Sequence, residues 1–559
     1  MRKAAWFGLL FSAPLAAQQL VQYSDYQGPY ALGYPVPTAV ESLTPVAGFR
    51  SLASLHARHQ SLYLQSPWVS GTLLGRSRED RPIWGYGVSD GDDLTATGQP
   101  EPAALLSGAV HAREWQSPEV VTGLLESLVA GASDAGLGQF LVENLDVVLV
   151  PVVNPDGLAH TQRYPARVVS SGASFRDGRQ RRKNLRDSDG VLETLDDYLS
   201  GVDLNRQFPP FWGGGSASPG AINHRGPRVL SEPESQALVA ANQLFTPGRL
   251  RLYTDFHSFG RVLIVPETDR PALDALNRLL AGRLQAHLQA LDSRYDISYW
   301  PRSAGIGATD EYHAETYGVP SWTFEIEPGG SGGAEYGGYG VRGDGFMLPA
   351  TEIARVRAEI ASAYRLALYH QYGPPGIQAA TLIDVDAGQV VYAAHWRPGA
   401  DGRRQLWVSQ DGALRADRDY RLWLAFDKPM RHRVDGAVAD YPGQTVAPLP
   451  TIELRHDGGA WTLPGTGMRW LDQPGDAPDG YRHYRDDALV AAFTTPTADW
   501  VGDAVGLAVT VSDMAGLALD GDPASPVGFA AGWTGYQAGM DTTLTINASG
   551  ILLRDGFEP

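Results

Sequence analysis

His111-Ala112-Arg113-Glu114 sets an imidazole and a carboxylate two residues apart, a spacing that lets both side chains bend onto one small cation. Zinc suits such a pair, because it accepts nitrogen and oxygen donors and, in catalytic sites, takes three protein ligands with a fourth position left to water. Alone the pair is weak, since a His-x-x-Glu arises often by chance in a solvated turn. A third donor changes its meaning, and His257, in Asp255-Phe256-His257-Ser258 after an apolar run, is the best remaining imidazole. His160, His224 and His313 fall in loops of less definite context. The chain contains no cysteine, so any metal site is built from His, Asp and Glu.

These donors need elements to bring them together. Ala103 to Val110 reads as a buried strand, and Ser117-Pro118-Glu119 as an N-cap, a proline at the first helical position and an acidic first turn. His111 and Glu114 therefore sit between a strand and a helix, at the carboxyl end of the strands where α/β sheets form ligand sites. Val147 to Val153 is a β-branched run suited to a strand buried on both faces, ending at a turn signal, Asn154-Pro155-Asp156-Gly157. Leu250 to Phe256 is another such strand and ends at His257. If the strands run parallel as neighbours, their carboxyl ends converge.

Around them the pattern predicts a helix over Ser51 to Tyr63 and a hairpin of Val69–Leu74 with Ile83–Val88. Further helices are predicted over Pro118–Val129, from Ser231 to about Leu244, over Pro271–Leu291 and over Thr351–Tyr369, with a last strand at Thr323–Glu327. Leu158 to Gly201 reads as a long excursion. The alternation predicts an α/β domain over residues 48–373, a mixed, mainly parallel central sheet flanked by helices. Beyond Pro375, short apolar segments separated by Asp, Gly and Pro turns predict an all-β sandwich over residues 376–542, and residues 543–559 an exposed tail. Phe426-Asp427-Lys428-Pro429-Met430 and Ser512-Asp513-Met514-Ala515-Gly516 loosely resemble bacterial Ig-like modules.

At 559 residues, with 43% hydrophobic and 19% charged content, the chain can bury more than one core. A formal net charge of -18 argues against a nucleic-acid binder. Met1-Arg2-Lys3, an apolar run to Ser12 and the small residues around Ala16-Ala17 read as a signal peptide over residues 1–17, followed by an extended segment over 18–47. No later run approaches the roughly 18 apolar residues of a bilayer span. The expectation is a secreted or periplasmic protein without a transmembrane segment.

The ordered set His111-Ala112-Arg113-Glu114-Trp115, Asn154-Pro155-Asp156-Gly157, Arg182-Lys183-Asn184, Gly201-Val202-Asp203-Leu204-Asn205-Arg206, Ser231-Glu232-Pro233-Glu234, Phe256-His257-Ser258 and Thr323-Phe324-Glu325 resembles the zinc metallocarboxypeptidases of the carboxypeptidase A type, over about Gly48 to Tyr372. The resemblance implies that His111, Glu114 and His257 hold one Zn2+, that Glu325 is general base and acid, and that Arg182 faces the oxyanion. It further implies that Asn205 and Arg206 grip a substrate's terminal carboxylate, with Arg113 in substrate binding. Each role suits its chemistry: a carboxylate beside zinc-activated water relays a proton, and a guanidinium fork takes a carboxylate through two parallel hydrogen bonds. Asp203 is a plausible acceptor for the His111 imidazole, and Glu327 competes with Glu325 for the base by strand period. Composition alone does not choose among Arg179, Arg181 and Arg182.

Two departures stand out. Where the family has a mobile Tyr, this chain has Tyr299-Trp300, and Thr309-Asp310 meets the pocket floor in two registers, one favouring basic and one apolar C-terminal residues. The implied function is removal of C-terminal residues from peptides or proteins with a free C-terminus. The alternatives are a cell-wall peptide endopeptidase or amidase on the same fold, and a binding module that has lost activity.

Overall fold

The computed structural model describes residues 42–163, 168–171, 174–188, 200–330, 345–398, 404–456, 459–474, 484–496, 503–521 and 540–548. The expected signal peptide, most of the extended segment and the end of the tail lie outside them.

In chain order the first domain comprises α1 (Leu52–Gln65), β1 (Val69–Arg76), β2 (Pro82–Val88), β3 (Ala103–Ser107), α2 (Gln116–Gly131), α3 (Leu137–Asn144), β4 (Asp146–Val150), α4 (Pro155–Arg163), β5 (Val168–Ser171) and β6 (Ser174–Gly178). It continues with α5 (Pro233–Ala240), β7 (Leu250–Gly260), β8 (Val262–Pro266), α6 (Pro271–Ala290), β9 (Asp296–Trp300), α7 (Thr309–Tyr317), β10 (Ser321–Gly329) and α8 (Ala350–Gln371). Eight strands form one sheet in the order β1-β2-β4-β3-β7-β10-β8-β9. Its centre, β4-β3-β7-β10, is parallel, and antiparallel pairs flank it.

The central strands obey a period of two with both faces buried. Ala104, Leu106, Val147 and Leu149 join one core with α1, α2, α3, α6 and α8, while Ala103, Leu105, Val148 and Val150 join a second with α5 and α7. Side chains alternate across a strand, so a continuous apolar run feeds two helical layers at once.

Several local readings change. α2 begins at Gln116, so Ser117 and Pro118 lie inside its first turn, and the Ser117 hydroxyl bonds the preceding turn instead of capping the helix. Asn154-Pro155-Asp156-Gly157 opens α4, with Asn154 Oδ1 accepting from the Gly157 amide at 3.0 Å. Helices α3 and α7 and strands β8 and β9 escaped the sequence pattern, being short elements whose apolar residues lack a clean period.

The second domain holds β11 (Ile377–Asp384), β12 (Gln389–Pro398), β13 (Arg404–Asp411), β14 (Asp419–Phe426), β15 (His432–Val434), β16 (Ala437–Ala439), β17 (Thr451–His456), β18 (Gly459–Thr462), β19 (Met468–Trp470), β20 (Ala488–Thr494), β21 (Val505–Thr510) and β22 (Met540–Ile546). A six-stranded and a four-stranded antiparallel sheet enclose one core that draws Leu382, Leu422 and Leu489 from the first and Ile452, Leu507 and Leu544 from the second. β22 corrects the expected tail: Leu544 to Ile546 pair with β21, and Leu544 and Ile546 are buried.

The sandwich is docked on the helices behind the sheet. Tyr441, Tyr484, Met514, Ala515 and Leu517 belong to the same apolar cluster as α6 and α8. Lys428, fully buried, donates to Asp513 at 2.9 Å and to the Gly373 carbonyl at 2.7 Å, and its Nζ lies 3.5 Å from the Tyr369 ring centroid. The segments that resemble Ig-like modules thus build the contact with the first domain.

Candidate metal centre

The strand ends do converge. β3 and β7 pair with Ser107 opposite Asp255, and β7 and β10 pair with His257 opposite Glu325. The chain leaving β3 turns through Ala109, whose φ of 52° lies in the left-handed region, and its amide donates to Ser117 Oγ at 2.9 Å. Ser117 Oγ donates in turn to the Glu114 carbonyl at 2.8 Å, tying the turn to the first coil of α2. On the other side Thr161 of α4 donates to the Ala112 carbonyl at 2.9 Å and accepts from the Trp115 indole at 2.8 Å. A Cβ on Gly157 would come within 2.7 Å of Ala112 Cβ, so only glycine lets α4 approach this turn so closely.

His111, Glu114 and His257, all buried, offer donor atoms that lie within 4.8 Å of one another and could hold a metal ion. His111 Nδ1 is 3.0 Å from Glu114 Oε1, and His257 Nδ1 is 2.9 Å from Glu114 Oε2. The opposite nitrogens are anchored, His111 Nε2 3.0 Å from Asp203 Oδ1 and His257 Nε2 2.7 Å from Asp255 Oδ2. A carboxylate acceptor on Nε2 holds the proton there and turns the Nδ1 lone pair inward, the arrangement a cation needs. Burial opposes ionisation of Glu114, but the imidazoles of His111 and His257 outweigh it and hold the carboxyl well below its usual range.

Glu325 stands beside this group. Its Oε2 is buried with no hydrogen-bond partner among the described residues. Burial, then the neighbouring Glu114, push its carboxyl up to about 7, while His257 and Arg182 pull the other way. Two nitrogens, one oxygen and an adjacent unpartnered carboxylate match what an open zinc site requires. Glu327, its competitor, is instead ion-paired with Arg261 and Arg355.

The arginine cluster separates in space. Arg179 lies over the Trp115 ring at 4.0 Å and donates to the carbonyls of Arg113 and Phe346 at 2.9 Å each. Arg181 donates to the Asn184 carbonyl at 3.0 Å and to Ser200. Arg182 faces the centre, its Nε bonded to Asp203 Oδ2 at 3.0 Å and a terminal nitrogen 3.8 Å from Glu114 Oε1.

Asn205 Oδ1 accepts from the Thr309 amide at 2.9 Å, and its Nδ2 lies 3.4 Å from His257 Nε2. Arg206 is half-buried and donates to the Asn205 carbonyl at 2.5 Å. The Arg113 guanidinium sits 4.2 Å from the Phe346 ring and 3.4 Å from the Gln180 carbonyl. Tyr299 packs under Arg278 at 4.3 Å, whereas Trp300, 37% exposed, lines a small cleft with Phe211, Arg302 and Glu311.

Sequence reasoning missed Asp255, and with it the bond that joins Thr309, a candidate for the pocket floor, to the metal centre. Asp255 accepts from Ser107 and Thr309 at 2.8 Å each as well as facing His257. The available signal was its place two residues before His257, hence on the same strand face. The Ser231-Glu232-Pro233-Glu234 motif is structural: Glu232 takes Arg78, Arg186 and Asn184.

A turn bearing one imidazole and a carboxylate, set beside a second imidazole on the neighbouring strand of a mixed sheet, has the donor set of a metal site. Residues 62–362, just over half of the chain, match the family described as Peptidase_M14, zinc carboxypeptidase, and the chain belongs to it. It is 27% identical over 317 residues to "Zinc carboxypeptidase A 1" of Anopheles gambiae, covering 55% of this chain and 64% of that protein. It is 29% identical over 273 residues to "Carboxypeptidase B" of Helicoverpa zea, covering 46% and 56%. The match therefore spans less than two thirds of either relative's own length. Among solved structures, thrombin activatable fibrinolysis inhibitor aligns at 21% identity and a TM-score of 0.47 over 60% of this chain and 78% of that one. Carboxypeptidase A from Helicoverpa armigera aligns at 23% identity and 0.47 over 57% and 73%.

Proposed function

We propose that this chain is an exported zinc-dependent carboxypeptidase that cleaves the last peptide bond of peptides and proteins with a free C-terminus. The observation that carries the reading is the juxtaposition of His111, Glu114 and His257 with the buried, unpartnered Oε2 of Glu325. In this reading His111, Glu114 and His257 hold the ion. When bound, zinc supplies Lewis acidity to the scissile carbonyl and to water. Glu325 takes the proton of the attacking water and delivers it to the departing amine, and a carboxyl raised to about 7 is suited to both halves of that transfer. Arg182, held by Asp203, presents positive charge to the oxygen that gains negative charge. Asn205 and Arg206 receive the terminal carboxylate, and Arg113 contributes to substrate binding. Export rests on the Met1–Ala17 pattern, and among the described residues no helix is long and apolar enough to cross a membrane.

The test is release of C-terminal residues from unblocked and C-terminally amidated peptides, with and without a zinc chelator, beside Glu325→Gln. The expected result is chelator-sensitive trimming of unblocked peptides only, with the variant retaining zinc but slower by about 10²–10⁴-fold. A zinc-loaded chain that trims no unblocked peptide, or a variant as fast as the parent, overturns the reading.

A further inference from the structure

The amino ends of β3 and β4 hold a second cluster of acids, away from the metal centre. Ala103 and Asp146 begin these strands in register, whereas the turn bearing His111 leaves β3 at its carboxyl end. The loop joining β2 to β3 reads Ser89-Asp90-Gly91-Asp92-Asp93-Leu94 and closes through a bridge between Leu94 and Pro100. Carboxylate oxygens of Asp90, Asp92 and Glu101 lie within 4.8 Å of one another.

Asp90 and Asp92 are exposed, but Glu101 is only 2% exposed, and neither of its carboxylate oxygens has a hydrogen-bond partner among the described residues. Burial, then Asp90, Asp146, Asp92 and Asp93, push the Glu101 carboxyl up to about 9. Arg249 donates to the main-chain carbonyl of Glu101 at 3.0 Å and to that of Asp93 at 3.5 Å, so its bonds go to carbonyls rather than to the carboxylates of the cluster. Main-chain amides reach the exposed acids as well: Asp90 Oδ1 accepts from Asp92 at 3.2 Å and Asp92 Oδ1 from Leu94 at 2.7 Å. A carboxylate buried beside two others without a counter-charge holds its proton until a cation takes the proton's place.

We propose that Asp90, Asp92 and Glu101 form a Ca2+ site that pins the β2–β3 loop to the amino edge of the central sheet. The donors are all oxygen, which disfavours zinc and the soft metals. Ca2+ holds oxygens at about 2.3–2.6 Å in flexible geometry, so donors on opposite sides stand about 5 Å apart, whereas Mg2+ demands a tighter octahedron. The exposed side of the loop leaves the remaining positions to water. The site is independent of peptide hydrolysis at the other end of the sheet.

The test uses the full chain, stripped of divalent ions on a chelating resin and resupplied with one equivalent of Zn2+. Radioactive Ca2+ is equilibrated by dialysis up to about 1 mM free ion, and thermal unfolding is followed in parallel. One Ca2+ retained per chain and a Tm rise on the order of 5 °C, with no such rise in Mg2+, are expected. Asp92→Asn, an exposed change, is expected to weaken binding at least about tenfold. Glu101→Gln is expected to raise the calcium-free Tm, by removing the buried acid, while losing the calcium response. No retained Ca2+, or retention and a Tm rise unchanged in Asp92→Asn, overturns the proposal.

Discussion

Asp203 and Asp255 each bond the outward nitrogen of one imidazole, so the two histidines present Nδ1 without adjustment when an ion arrives. Asp255→Asn is expected to lower zinc affinity by about 10–100-fold, measured by competition with a chromogenic chelator, with the fold retained. An unchanged affinity would deny the anchoring role. Asp310 offers a pH signature. Burial, then Glu311 beside it, raise its carboxyl from the ordinary 3.8 to about 7. As pH rises the unfolded chain loses this proton first, so Asp310 opposes folding increasingly between about pH 4 and 7. Urea unfolding of Asp310→Asn against the parent is expected to show a stability difference that shifts in the variant's favour across that window. A difference that is flat with pH contradicts it.

At the scale of elements, the metal centre depends on how three strands end and on the turns that leave them. The turn after β3 is clamped by α2 through Ser117 and by α4 through Thr161, and neither clamp is a metal donor. Ser117→Ala leaves a buried amide on Ala109 without its acceptor, and should cost about 1–3 kcal/mol in urea unfolding. It should also weaken zinc binding, because His111 and Glu114 lie between the two clamps. A variant as stable as the parent would show that the turn holds itself. The β7–β10 register sets Glu325 opposite His257, so a one-residue slip would turn the carboxyl to the other face.

For the whole molecule, the sandwich is packed as part of the first domain's helical layer. Phe140 meets Tyr372 at 5.0 Å and Tyr484 at 5.3 Å, joining α3, the end of α8 and the sandwich in one aromatic cluster. Lys428→Met leaves Asp513 charged and buried without its partner, and should cost about 3–5 kcal/mol. Adding Asp513→Asn should recover part of that loss, since an amide keeps the oxygen that accepts from Ala515 and Leu517. Calorimetry reads both variants; a Lys428→Met chain that unfolds like the parent would mean the pair does not secure the docking.

Much of this was legible in the chain. The apolar runs Ala103–Val110, Val147–Val153 and Leu250–Phe256 mark strands by composition alone, because a strand buried on both faces needs no polar alternation, although β3 and β4 end earlier, at Ser107 and Val150. His111, Glu114, Asp203 and His257 could be named from residue type, spacing and the family resemblance, since metal donors are few in kind. Arg182 could not be separated from Arg179 and Arg181 by composition, because direction around an irregular loop has no period; packing on Trp115 and bonding to Asn184 remove the other two. The role of Asp255 and of Thr309 depends on strands and a helix distant in sequence meeting at one point. Nothing in the linear order of residues sets Glu101 apart from the acids around it; burial shows that neither of its carboxylate oxygens has a hydrogen-bond partner among the described residues. Residue type determined which atoms could do chemistry; tertiary packing decided which of them face one another, because orientation and desolvation belong to the fold.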